Sequence, residues 1–455
     1  MFDIYPKNNS ELDIKDDQII SNNVNNIDSK YNIELTNNIY SINDNEDEST
    51  EKLNPKINFQ TNKAIIPIQK PNKYNITFFI KLLLSILLFL IVSDNINVNK
   101  IDPNYYLDKI YGEEDLLRLI EEKKQALLNP FLISKKSIEN DIENMYNIIE
   151  QIKQKKLEII KKNKKIVRDD GKLILNCAYS TDNKYMYPTL VSITSLCFNS
   201  GNNTFYNIHM LLSPYFKEEY KQYFLSIEKN YTEHCKINFI NMGNKYEGKD
   251  TNEKITTATY YRLDLHNLLP DVDRVIYMDG DTAIFQDLSE LIFLDMKGNY
   301  ILGFLDCTTN ALEVYNIKNA VVICAGVILM DLDALRKNNI SEKFNEFMQA
   351  NLGKLYQHDQ TTINYVCQGK ISSLPPKYGM WNFYTFTDFL KLNLKQAPSI
   401  RYNKKELTLA YDKPGILHYT DGKPFKHPHS KYYLDEWWEF AEKTGHYKEI
   451  KELSE

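Results

Sequence analysis

For its larger, carboxyl-side part this sequence predicts an α/β fold, and three observations carry the prediction. After Asp169-Asp170-Gly171, strand-like and helix-like runs alternate to the end of the chain, the order expected when helices cover a sheet. A greasy run, Arg274-Val275-Ile276-Tyr277-Met278, leads straight into Asp279-Gly280-Asp281. That places two carboxylates where open α/β sheets keep their ligand crevice, outside the carboxyl end of a strand. The Glu/Lys/Ile/Leu pattern of residues 113 to 166 stops before the alternation starts.

Size and composition set the outer limits. A chain of 455 residues is too long for one ordinary core, so a catalytic body with accessory segments is expected. Lys and Arg number 55 against 61 Asp and Glu, a formal net charge of -6, so whole-chain electrostatics give no support to nucleic-acid binding. The 32 tyrosines, beside many Asn, Lys and Ile, fit an AT-biased genome. Cys177, Cys197, Cys235, Cys307, Cys324 and Cys367 show no Cys-x-x-Cys spacing, which argues against a structural zinc site and for small core residues.

Taken from its start, the chain opens with residues 1–75, rich in Asn, Asp, Ser, Lys and Ile and without a sustained period. Such a segment buries too little surface to offset ordering entropy, and a disordered tail is expected. From Ile76 to Ser93 nearly every side chain is apolar except Lys81, a stretch long enough for a membrane-spanning helix. A buried core helix is the alternative, with nothing upstream to form its core. Lys63, Lys70 and Lys73 precede the span, whereas Asp94, Asp102 and Asp108 mingle with Lys100 beyond it, which favours an amino end in the cytosol.

Residues 94–170 read as a helical stalk. Leu116, Leu117, Leu119 and Ile120, then Ile138, Ile142, Met145, Ile148, Ile149 and Ile152, recur at helical steps, with a break near Asn129-Pro130. This pattern fits either self-association or a charged helix lying on the catalytic body. Residues 171–455 form the α/β body. Lys172–Ala178 predicts its first strand, Thr189–Phe198 a helix, Phe205–Leu212 the next strand and Lys236–Asn241 another.

An acidic pair in a crevice is costly unless a cation joins it, so Asp279 and Asp281 are candidate ligands of a divalent metal, which beside a strand end usually holds a phosphate. Capping of a following helix is the quieter alternative.

Beyond that pair, the chain carries Tyr179-Ser180-Thr181-Asp182-Asn183-Lys184-Tyr185 followed by Pro188 to Leu196, then Thr259-Tyr260-Tyr261-Arg262-Leu263 and Leu268 to Leu291. Ala325 to Leu332, His358-Asp359-Gln360 and His418-Tyr419 with Lys423-Pro424 complete the set. In this order the segments resemble glycosyltransferase family 8, the group of bacterial lipopolysaccharide galactosyl- and glucosyltransferases, related to glycogenin. The resemblance does not reach residues 1–170. It implies a GT-A fold, one nucleotide-binding domain with a mixed central sheet, Mn²⁺ or another divalent cation, and a UDP-sugar donor. The anomeric configuration would be retained. By motif position, Asp279, Asp281 and His418 would bind metal, Asp182 and Tyr185 the uracil, and Lys423 the diphosphate. Arg262 and Asp359 would grip the donor sugar, with Gln360 beneath the anomeric carbon.

Each role has a plainer alternative: a packed histidine at 418, surface pairing of Arg262 with Asp264 or Asp273, and a helix start at Asp359 and Gln360. Two departures stand out. Cys324-Ala325-Gly326 replaces the family's Asn-x-Gly, removing an amide, and the closing motif is one residue short, with Asp421 where a phosphate-facing Gly is common. A carboxylate there repels a diphosphate unless it turns away.

The function expected from these residues is a membrane-anchored retaining hexosyltransferase that moves galactose or glucose from UDP-galactose or UDP-glucose to a glycan, glycolipid or glycoprotein. A type II Golgi enzyme is expected if the source is eukaryotic, with sequons at Asn202, Asn230 and Asn339; a bacterial inner-membrane enzyme is the alternative. A catalytically silent sugar-nucleotide or glycan-binding subunit on the same fold is the competing class. A nucleotidyltransferase would share the metal logic, but the Gly-rich phosphate loop of many such enzymes is not evident.

Overall fold

The computed structural model describes residues 113–128, 135–249, 256–306, 317, 320–355, 357–382, 386–394, 401–420, 422–426, 428 and 431–454. The expected tail of residues 1–75 and the apolar span of residues 76–93 lie outside them, as do Cys307 and Asp421. Among the described residues, no helix is long and apolar enough to cross a membrane.

Two helices, α1 (Glu113–Leu127) and α2 (Lys135–Lys162), come first. Leu116 and Ile120 of α1 and Met145, Ile148, Ile149 and Ile152 of α2 form one buried cluster, with Leu409 packed against it. Steps of three and four residues stack these side chains on one face. The end of α2 meets the catalytic body: Ile159 and Ile160 pack on its core, and Lys156 Nζ lies 2.6 Å from Glu290 Oε1. Most of the apolar stripe is thus buried within one chain, while Leu117 stays exposed.

The body starts at β1 (Leu173–Thr181), followed by α3 (Met186–Phe198), β2 (Thr204–Leu212), α4 (Glu218–Asn230) and β3 (Cys235–Asn241). β1 runs on to Thr181, past the predicted Ala178, because Tyr179, Ser180 and Thr181 keep pairing with Met210, Leu211 and Leu212 of β2. After a 3₁₀ stretch at Thr257–Asp264 come β4 (Arg274–Met278), β5 (Thr282–Ile284), β6 (Ile301–Leu305), β7 (Ile323–Asp331) and α5 (His358–Val366). Next are β8 (Ile371–Ser373), β9 (Tyr378–Trp381), β10 (Ile416–His418) and α6 (Leu434–Lys443).

The main sheet is seven-stranded, in the order β3-β2-β1-β4-β7-β6-β8. β1 is parallel to β2 and β4, whereas β7 is antiparallel to β4, which makes the central sheet mixed. Successive residues of the central strands face opposite sides. Cys177, Tyr179, Ile276, Met278, Val327 and Leu329 enter one core, and Ala178, Val275, Tyr277 and Ile328 the other. Burial on both faces explains why these strands read as unbroken apolar runs.

Strand order reverses between β1 and β4. The segments leaving those two strands diverge there and open a crevice at their carboxyl ends. Thr181-Asp182 leaves β1 at that point and Asp279-Gly280-Asp281 leaves β4. A three-stranded sheet, β5-β10-β9, adds the remaining wall.

Candidate active site

The loop after β4 is pinned from several directions. Asp279 N donates to Gly326 O at 2.7 Å, and Thr282 Oγ1 donates to Asp279 O at 2.9 Å. Thr282 Oγ1 lies 2.7 Å from Ser192 Oγ on α3. Gly280 fits because a Cβ there would stand 2.2 Å from Thr189 Oγ1. The loop continues into β5, so the acidic pair caps no helix.

Pairing of β10 with β5 sets His418 opposite Thr282. The imidazole Nε2 then lies 3.2 Å from Asp281 Oδ1 and 3.8 Å from Asp279 Oδ2. One ligand atom from each of Asp279, Asp281 and His418 falls within 4.8 Å of the others. Asp281 Oδ1 is buried without a hydrogen-bond partner, a lone pair of the kind a cation takes up. Two carboxylates and an imidazole fit a divalent ion. Gly326 makes the approach possible, since a Cβ there would stand 2.1 Å from His418 Cε1 and 2.8 Å from Asp279 Oδ2.

Burial opposes charge on both groups, and neighbouring charges prevail. Lys423 and His418 hold the Asp281 carboxyl well below its ordinary range. For His418, Cys324 and Asp281 outweigh burial and raise the imidazole to about 10. A metal would displace that proton, because ligand binding needs the neutral ring.

Facing this group is a buried guanidinium. Arg262 Nε lies 2.9 Å from Asp359 Oδ2, and its NH2 lies 3.1 Å from Asp279 Oδ1. Its NH1 donates to Ala325 O, and its Cζ lies 4.3 Å from the centre of the Tyr277 ring. The alternative pairings of Arg262 fail, since Asp264 holds Lys245 and Asp273 holds Lys165. Thr259 Oγ1 donates to Asp359 Oδ1 at 2.6 Å. Burial raises the Asp359 carboxyl against the pull of Arg262. Asp359 and Gln360 do start a helix, α5, and Asp359 also holds Arg262. Gln360 Oε1 accepts from Ala325 N at 2.9 Å, and its Nε2 donates to Asp306 Oδ2 at 3.1 Å. This fixes which end of the amide points where.

At the β1 side, Asp182 Oδ1 accepts the backbone N–H groups of Lys184 and Tyr185, at 2.9 and 3.0 Å. That oxygen shapes the turn into α3, leaving Oδ2 for another partner. The Tyr185 ring meets Phe425 edge-on at 6.1 Å. Lys423 donates to Asp281 Oδ2 and to the carbonyl of Tyr419. The fold thus gathers Asp279, Asp281, His418, Lys423, Arg262, Asp359 and Gln360 in one contact network, with Asp182 and Tyr185 beside it at the end of β1. Sequence reasoning assigned no role to Thr259, Tyr277, Gly326 or Phe425. Thr259, Tyr277 and Gly326 stood inside motifs already noted, whereas only three-dimensional contact reveals Phe425.

Residues 176–427 match Glycosyl transferase family 8. General stress protein A of Bacillus subtilis (strain 168) is 29% identical over 212 residues, covering 44% of this chain and 70% of that protein. A lipopolysaccharide 1,2-glucosyltransferase of Escherichia coli is 24% identical over 276 residues, covering 58% of this chain and 76% of its own. Among solved structures, the galactosyltransferase LgtC in complex with donor and acceptor sugar analogs superposes with a TM-score of 0.50 at 18% identity. That alignment covers 59% of this chain and 96% of that one, a likeness of fold, which is GT-A-like. The family match contains the whole crevice, from Asp182 to Lys423, and the chain belongs to glycosyl transferase family 8, a family of glycosyltransferases.

Proposed function

We propose that this chain is a divalent-metal-dependent, retaining hexosyltransferase that moves galactose or glucose from a UDP-sugar to a glycan, glycolipid or glycoprotein acceptor. The observation that carries this reading is the convergence of Asp279, Asp281 and His418, with Lys423 against Asp281, at the sheet's switch point. The names of the relatives, a glucosyltransferase and a galactosyltransferase, support the sugar class.

Breaking the bond between the anomeric carbon and the diphosphate leaves negative charge on the departing UDP. A bound divalent ion, Mn²⁺ in our reading, would supply electrostatic stabilisation of that charge. Lys423 brings a second positive charge to the same place, favouring the transition state over the ground state. Arg262 and Asp359, locked to each other before substrate arrives, orient the sugar hydroxyls. Gln360, assigned a place beneath the anomeric carbon, is held from rotating by Ala325 N and Asp306. Tyr185 offers a flat face to the base beside Phe425.

The protein with Mn²⁺ and each UDP-sugar tests this directly. Release of UDP that requires metal and vanishes in Asp281→Ala is expected. Donor binding without turnover would instead identify a silent sugar-nucleotide-binding subunit, a reading that Cys324 in place of an amide favours. We further propose that residues 76–93 anchor the chain with residues 171–455 on the far side of the membrane. Asn202, Asn230 and Asn339 are all exposed, so in a eukaryotic host a glycosidase-sensitive mass shift is expected, and an unshifted soluble chain would refute the arrangement.

A further inference from the structure

We propose that Cys324 is a positioning residue for the cation site: its sulfur accepts the Nδ1 proton of His418 and so keeps the Nε2 lone pair facing Asp279 and Asp281. The inference rests on the reading that these three residues hold a metal.

A neutral imidazole carries one proton on its two ring nitrogens, and the partner of one nitrogen decides the state of the other. Here Nε2 lies 3.2 Å from Asp281 Oδ1, whereas Nδ1 faces Cys324 Sγ at 3.7 Å. That separation suits an N–H donating to a large sulfur. The reverse arrangement, with the thiol donating to Nδ1, would put a proton on Nε2 and aim it where the ion must sit. Only the first arrangement is compatible with an ion bound at Nε2.

The surroundings hold the ring in this contact. Both Cys324 and His418 are buried, so water does not replace a lost partner. On one side Gly326 leaves room only for a hydrogen, with His418 Cε1 pressed into the space a Cβ would fill. Neighbouring β7 residues reach the site through their backbone: Ala325 N donates to Gln360, Ala325 O accepts from Arg262, and Gly326 O accepts from Asp279 N. At position 324 the side chain makes the contact. A substitution there changes the ring's partner while leaving the backbone links in place.

The test compares Mn²⁺ dissociation constants for the full-length protein and its Cys324→Ala, Cys324→Ser, Cys324→Asn and Asp281→Ala variants, read from the electron paramagnetic resonance of free Mn²⁺. Cys324→Ala is expected to bind about 10-fold or more weakly, the usual effect of removing the partner of a metal-bound histidine. Cys324→Ser or Cys324→Asn, each offering an oxygen acceptor, is expected to restore most of the affinity. Nitrogen modulation from the imidazole in the spin-echo spectrum of bound Mn²⁺ should fade in Cys324→Ala and return with the acceptor. Unchanged affinity in Cys324→Ala overturns the proposal, and so does failure of both oxygen variants to recover it. If Asp281→Ala binds Mn²⁺ as the parent does, the metal reading itself falls. If Asp281→Ala alone loses Mn²⁺, only the role of Cys324 falls.

Discussion

The crevice has two walls that differ in how finished they are. The wall of Asp281, His418 and Lys423 crowds a buried carboxylate between two cationic groups, one of which, Lys423, is partly exposed. The wall of Arg262, Asp359 and Gln360 is settled: the guanidinium meets two carboxylates, a carbonyl and an aromatic face. The difference teaches that one wall presses a single carboxylate against two cationic groups, whereas the other locks its guanidinium among several partners. Substitutions in the two walls should therefore fail in different ways.

The largest effect is expected on the settled wall. Asp359→Ala leaves Arg262 buried with half its charge partners, and removing one member of a buried pair costs about 3–5 kcal/mol. Calorimetry should show a clearly lowered Tm, with or without Mn²⁺. A Tm equal to the parent's would mean that the guanidinium is not confined as described.

On the cation wall the same kind of truncation should spare the fold. Lys423 is the more exposed member of its pair with Asp281, and Asp281 keeps His418 nearby. Lys423→Ala is expected to lower kcat for UDP release by about 100-fold, the scale seen when one group stabilising developing charge is lost. Its Tm should move far less than that of Asp359→Ala. Equal Tm losses would erase the contrast between the walls.

Gly326 sits where the walls meet, and Gly326→Ala tests their spacing. A Cβ at 2.1 Å from His418 Cε1 and 2.8 Å from Asp279 Oδ2 must push the ligands apart. Mn²⁺ affinity should fall about 10-fold or more, equivalent to about 1.4 kcal/mol. Titration of the variant with Mn²⁺ checks this, and unaltered affinity would show that the ring moves freely.

How much of this was legible beforehand differs between the walls for a physical reason. Arg274–Met278 was bounded correctly as a strand because a doubly buried strand is an unbroken apolar run ending in polar residues. Asp279 and Asp281 announced themselves by adjacency. His418 and Lys423 reach them through β10 pairing with β5, a long-range register that no local pattern encodes, and only the resemblance connected them. The apolar stripe of α1 and α2 was readable as helix, whereas its burial against Leu409 and the body depended on contacts distant in sequence. Gly326 and Cys324 were visible as letters, but their significance lies in distances to His418.

The last expected effect is one of pH. The stretch carrying Arg262 continues into His266, whose Nε2 lies 2.5 Å from Ser341 Oγ and whose imidazole burial lowers to about 4. Above about 6.5, the ordinary value, the ring is neutral in both folded and unfolded chains and pH has no effect through it. As pH falls from there toward 4, the unfolded chain takes the proton first, and stability drops by up to about 1.4 kcal/mol per pH unit. His209 on β2, also lowered to about 4 by burial, adds a contribution of the same sign. Asp281, held well below its ordinary range by Lys423 and His418 against its burial, stays ionised over this interval, so the cation wall keeps its carboxylate charge. Urea midpoints at pH 7 and pH 5 should therefore differ by less in His266→Gln than in the parent. If the two proteins lose stability in parallel, the acid response originates elsewhere than at His266.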